Sequence, residues 1–112
     1  MIIKKGASID GICSEMLVAA ITIICPIFRD YGREAVVTSG SEHYKHSAKR
    51  SAHYRKAAID WRSHWFTNSE KNAILDMLQC DLGPDFVVIL ENRNKRNEHY
   101  HVHWSPVYRE AE

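Results

Sequence analysis

Three histidines, His99, His101 and His103, alternate with Tyr100, Val102 and Trp104 near the end of a 112-residue chain. Alternation is the period of a β-strand, so the histidines fall on one face and the bulky apolar groups on the other. A core strand gains little from imidazole at every second position. Neutral imidazole is the commonest protein metal ligand and exchanges protons near neutral pH, so the row points to metal binding or proton transfer. The residues that could complete such a site lie upstream, in 51–61. His53 closes a polar stretch, and Asp60 stands inside the apolar run Ala57-Ala58-Ile59-Asp60-Trp61. A carboxylate among apolar neighbours needs a cation to be tolerable. A metal ion supplies one; so does a salt bridge to Arg62 or to an arginine elsewhere. Spacing alone leaves both readings open. A single-metal hydrolytic site takes three ligands from His, Asp and Glu and leaves a position for water.

Such a row needs a sheet to hold it. The pattern predicts a helix over Ser8 to Tyr31, capped by Ser8 or Asp10, with Ile12, Met16, Ala20, Ile23 and Ile27 at helical spacing. Pro26 should kink or end it, and Gly32 should stop it. Glu34 to Thr38 reads as a short strand ended by Ser39-Gly40-Ser41. Residues 42–55 are too charged for core and read as a long loop. Strand character returns at Ala57 to Trp61. Thr67-Asn68-Ser69-Glu70 fits a capping box, and Ala73, Ile74, Met77 and Leu78 give the following helix one apolar stripe, stopped at Gly83-Pro84. Phe86 to Leu90 is apolar and of strand length, and it should pair with the histidine strand as a hairpin around a polar connection. The expected fold is one α+β domain over residues 1–112: a small antiparallel-rich sheet with two helices on one face and the histidines on the other.

Composition narrows the partners. Apolar residues make up 45% of the chain, enough for a core, and the formal charge is +1. That balance gives no global attraction to nucleic acid or to an anionic membrane. Basic residues cluster only in Lys45 to Lys56 and in Arg93-Asn94-Lys95-Arg96, both expected as solvated loops. Cys13, Cys25 and Cys80 are odd in number and widely spaced, which argues against a disulfide framework and against a cysteine-rich zinc knuckle. All three are expected as small buried hydrophobes. The run Met16 to Cys25 is too short to span a bilayer, and Asp10 and Glu15 spoil it as a signal peptide. Synthesis in the cytoplasm, without an export signal, and a monomeric state are the expectations.

Three motifs occur in order: Ser51-x-His53, Ala58-x-Asp60 and Glu98-x-x-His101. They are flanked by Val36-Val37-Thr38-Ser39-Gly40, Ile59-Asp60-Trp61-Arg62 and Gly83-Pro84-Asp85-Phe86-Val87-Val88. Together they resemble the zinc D-Ala-D-Ala carboxypeptidase (VanY-like) family. That family includes vancomycin-resistance dipeptidases and carboxypeptidases and many phage peptidoglycan endopeptidases, and it has the hedgehog/DD-peptidase fold. The resemblance covers nearly the whole chain and is nearest to short single-domain phage enzymes of the endolysin type. It implies one zinc ion held by His53, Asp60 and His101, with Glu98 as general base. It implies a peptidoglycan stem peptide as substrate, with action at the bacterial cell wall or periplasm. Ser51 and Arg50 are the implied substrate-binding residues. His103 is the alternative third ligand, and Glu91 the alternative base.

Two positions depart from the family pattern. Lys56 stands where the family has glycine, and Ser41 and Glu42 stand where it often has a substrate-binding arginine. Lys49, Arg50 or Arg55 would have to replace that arginine. Three functions are therefore weighed: a zinc peptidase cutting stem peptides, a zinc-containing, catalytically impaired module that binds cell wall or another protein, and nucleic-acid binding through the basic loops with Tyr44, Tyr54 and Trp61, which the near-neutral charge opposes. Glu98 and His101 have opposite strand parity, so the base can converge on the site only through a turn or bulge at Glu98.

Overall fold

The computed structural model describes residues 1–42 and 56–106. His53, Ser51, Arg50, Lys49 and Arg55 lie outside the described residues. Five strands form one sheet: β1 (Ile2–Ile3), β2 (Val36–Ser39), β3 (Ala58–Arg62), β4 (Phe86–Glu91) and β5 (His99–Trp104). Their spatial order is β1-β2-β3-β5-β4, so the histidine strand is central and its hairpin partner is an edge. β2, β3, β5 and β4 pair antiparallel in turn, while β1 pairs parallel with β2. The sheet is therefore mixed, and the antiparallel-rich expectation is corrected. The cause is a two-residue strand, Ile2–Ile3, too short to show periodicity in the sequence.

The N-terminal helix begins later than its apolar spacing suggests. It runs as α1 (Ser14–Ala19), a π-helical turn (Ala20–Ile24) and α2 (Cys25–Asp30). Ser8 and Asp10 do not cap it. Instead Ser8 holds a turn: its carbonyl accepts from Ser41 N–H (2.7 Å) and its N–H donates to Glu42 Oε1 (2.9 Å). Gly40 N–H donates to the same carboxylate oxygen (2.7 Å). A Cβ on Gly40 would sit 2.1 Å from Ser8 O, so only glycine fits that crossing. Pro26 neither ends nor breaks the helix. It enters at the first turn of α2, directly after the widened π turn, where its missing N–H is accommodated. The second helix, α3 (Asn68–Leu82), starts as expected: Glu70 N–H donates to Thr67 Oγ1 (3.1 Å) and Thr67 N–H to Glu70 Oε1 (2.9 Å).

Both helical segments bury their apolar stripes against one face of the sheet. Met16, Ile24 and Phe28 from the first and Ile74 and Leu78 from α3 share a core with Val37, Ile59, Trp61, Val88, Tyr100 and Val102. Phe28 is the hub, with ring centroids 6.1 Å from Trp61, 5.8 Å from Phe66 and 5.9 Å from Tyr100. Those aromatics bury the largest areas in the core, so they dominate its hydrophobic stabilisation. Cys25 joins this core, and burial raises its thiol above the ordinary range. Cys80 is exposed and Cys13 half-buried, so the expectation of three buried thiols holds for Cys25 alone. No helix among the described residues is long and apolar enough to cross a membrane.

Lys56, where the resembled family has glycine, takes φ 59°, a left-handed conformation that suits glycine. Its side chain runs over Gly11, whose Cβ, if present, would lie 2.9 Å from Lys56 Nζ. A side chain in this backbone region costs roughly 1–2 kcal/mol, part of which glycine returns through its own entropy, about 0.5–1 kcal/mol. Lys56→Gly should therefore raise stability by up to ~1 kcal/mol in denaturant melts. Lys56→Val should lower it. Equal midpoints for all three proteins would contradict the strain at this residue.

Candidate functional site

The pairing of β3 with β5 builds the site. Asp60 lies opposite His101, Ala58 opposite His103 and Arg62 opposite His99. Ile59 and Trp61 alternate toward the helices with Tyr100 and Val102, all at 0% exposure. The histidines and Asp60 are left on the other face, as the sequence pattern predicts. β2 adds Ser39 beside Asp60 across a bulge, and β4 adds Ile89 beside His101 and Glu91 beside His99.

Asp60 is 8% exposed. Its Oδ1 is 2.9 Å from His101 Nδ1, and His101 Nε2 is 2.7 Å from His103 Nδ1. A carboxylate only accepts, so His101 donates from Nδ1, and His103 donates to the lone pair left on Nε2. Both hydrogen bonds then run toward Asp60. His99 Nδ1 donates to Asn97 O (2.8 Å), which turns its Nε2 toward Asp60 Oδ2 (3.5 Å) and Glu91 Oε2 (3.7 Å). Glu91 Oε1 is also 3.9 Å from His101 Nδ1. Two carboxylates and three imidazoles therefore share one patch at the centre of the sheet. The arginine salt bridge considered for Asp60 does not form with Arg62, whose guanidinium lies over the Trp65 ring at 5.7 Å.

Glu98 is elsewhere. Its carboxylate is on the helix side, held by Ser63 Oγ (2.6 Å), by Lys71 Nζ (2.9 and 3.0 Å to its two oxygens) and by Asn94 N–H (2.7 Å). Lys71 belongs to α3, and its carbonyl accepts from Tyr100 Oη (2.7 Å). Burial alone would push the Glu98 carboxyl up; the bonds from Asn94, Ser63 and Lys71 outweigh it and hold the group below its ordinary value. Strand parity explains the placement: Glu98 and Tyr100 share a side, His99 and His101 do not. The connection from β4 to β5 supplies no bulge that would turn Glu98 over; Asn92 and Asn94 instead take left-handed turns (φ 55° and 61°), and Asn94 N–H meets Glu98. Glu91, the alternative base, is the carboxylate that accompanies the histidines. Glu42 is structural: its Oε1 accepts from both Ser8 N–H and Gly40 N–H and ties those two segments together.

Zinc suits the chemistry of this donor set, one carboxylate and imidazoles. Asp60 Oδ1 and His101 Nδ1 now share a proton, and a shared cation would take that proton's place with both donors deprotonated. Among the described residues no three His, Cys, Asp or Glu side chains are gathered closely enough to hold a metal by themselves. The third ligand expected, His53, lies outside them. No family model, no curated protein and no solved structure matches this chain.

The Glu98–Lys71 pair yields a stability test. Glu98→Gln leaves the Lys71 ammonium buried without its anion, which typically costs about 3–5 kcal/mol. Glu98→Gln with Lys71→Met should recover much of that loss in a double-mutant cycle. The carboxyl is depressed in the folded state, so its contribution is complete above the unfolded value of about 4.3 and is lost as pH falls through the lower folded value. The gap between parent and Glu98→Gln should thus close on the acid side. A Glu98→Gln protein as stable as the parent at pH 7 would contradict this structural role.

Proposed function

We propose that the protein is a zinc metallopeptidase that hydrolyses peptidoglycan stem peptides, as a D,D-carboxypeptidase or an endopeptidase. The observation that carries this reading is the contact between Asp60 and His101 on the face of the sheet away from the helices, with His99, His103 and Glu91 around it. It agrees with the family resemblance at two of its three ligands. His53, in the sequence before β3, is the proposed third. Bound zinc would lower the pKa of a coordinated water to about 7 and polarise a peptide carbonyl.

The other tasks fall to the chain. Asp60 and His101 hold the metal. Glu91, half solvated and 3.7 Å from His99 Nε2, takes over from Glu98 as the proton acceptor and returns the proton to the leaving amine. His99, fixed by Asn97, stands beside Glu91 with its Nε2 3.7 Å from the carboxylate. Ile89, 44% exposed next to His101, offers an apolar contact for a substrate methyl group. The burial of Glu98 against Lys71 favours the second reading, a zinc-containing binding module, if Glu91 proves unable to serve.

Zinc titration and muropeptide digestion test the proposal. The parent should bind one zinc per chain, and a chelator should lower its Tm. Asp60→Ala and His101→Ala should each lose tight zinc. Glu91→Gln should keep zinc and lose turnover by ~10²–10⁴-fold, the usual contribution of a positioned base. Full zinc content in Asp60→Ala would sink the site. Zinc-loaded parent that releases no amino group from any muropeptide would leave the binding module as the reading.

A further inference from the structure

The two edges of the sheet differ. β1 is two residues long and runs straight into Lys4 and Lys5, and both brevity and lysine discourage a further strand. β4 has neither. It is six residues long, Phe86-Val87-Val88-Ile89-Leu90 carries no charge, and its pairing with β5 is continuous, without a bulge. Such a run on an edge is a template for another strand. The outward backbone groups of β4 are identified by their partners. Phe86 C=O accepts from Gln79 Nε2 (2.9 Å), and Val88 N–H donates to Gln79 Oε1 (3.2 Å). The same Nε2 also donates to Gly83 C=O (3.3 Å). By alternation Val88 C=O and both backbone groups of Leu90 point outward as well. Gln79 is an exposed residue near the end of α3, yet its amide stands where the peptide groups of the next strand would stand. A primary amide supplies both the donor and the acceptor that this needs.

We infer that the Gln79 amide closes the β4 edge against a second copy of this chain, and that the pairing it prevents is β4 with β4, antiparallel. The edge is self-complementary. A two-fold axis at Val88 would set Val88 against Val88, and Phe86 against Leu90 of the other copy. Phe86 N–H already turns back to Gly83 C=O (3.3 Å). The bonds left are Leu90 N–H to Phe86 C=O and Val88 N–H to Val88 C=O, so every one uses a group that Gln79 holds. An axis at Leu90 would avoid those two groups, but its next pair would need Asn92, whose left-handed backbone (φ 55°) has left the strand. Ile89, 44% exposed, would meet Val87 of the other copy on the histidine face. The inference stands apart from the peptidase reading.

Sedimentation equilibrium over a concentration series tests it, with amide exchange by NMR to locate the contact. The parent should keep the mass of one chain, with Val88 N–H protected and Leu90 N–H exchanging freely. Gln79→Met, close in shape but without the bonding amide, should approach twice that mass as concentration rises, and Leu90 N–H should become protected with it. Gln79→Glu also cuts the bond to Phe86 C=O, but it sets a charge on the edge and should stay at one chain. Ile89→Lys added to Gln79→Met should restore the single chain for the same reason. A tie that merely fastens α3 to β4 would lower stability when cut and leave the mass unchanged. A folded Gln79→Met that stays at one chain, or one that associates with Leu90 N–H still open, therefore overturns the inference. So does protection of Leu90 only on addition of a synthetic Thr-Val repeat peptide, which would assign the edge to a foreign strand. Leu90 N–H protected in the single-chain parent also overturns it, a readout that needs no variant to fold.

Discussion

The register of β3 against β5 is the constraint on which the molecule depends. Five consecutive pairs, from Ala58–His103 to Arg62–His99, decide what each face contains. In this register Ile59, Trp61, Tyr100 and Val102 enter the helical core together, and Asp60 meets His101. A slip of one residue would turn Tyr100 and Val102 to the histidine face and imidazoles into apolar packing. The aromatic cluster around Phe28 therefore fixes the site as well as the core. Stability and chemistry are set by alternate residues of the same two strands.

The carboxylates divide along the same lines. Asp60 and Glu91 face the histidines and can take part in binding or proton transfer. Glu98 faces the helices, where Lys71, Ser63 and Asn94 satisfy it and tie the β4–β5 connection to α3. This anchor holds the start of β5, so Glu98 supports the histidine row from behind. Glu42 has a comparable role at Ser8 and Gly40. Glu34 is different in kind. Its hydrogen bonds from Arg29 and the N-terminal ammonium bring its carboxyl down to about 2, but it is solvated, and salt screens it.

Much of this was legible in the sequence because alternation and capping are local signals. The histidine strand, the apolar β4, the strand around Asp60 and the Thr67–Glu70 box all announce themselves within a few residues. β1 did not, because two residues carry no period, and its parallel pairing makes the sheet mixed. The start of the first helix is not legible because apolar spacing continues through the turn at Ser8 to Cys13, which Gly11 and the Ser8–Ser41 contact shape. For Glu98 the motif spacing and the strand parity disagreed, and parity prevailed because nothing before β5 reverses the face.

The proposal turns on Asp60 and His101 together holding a metal ion on the face of the sheet away from the helices. Anomalous diffraction at the zinc edge, on crystals of the zinc-loaded chain, tests it most directly. A single peak within ~2.2 Å of an Asp60 carboxylate oxygen and a His101 ring nitrogen is the predicted result. A zinc peak elsewhere, or no peak beside these two residues, would contradict it.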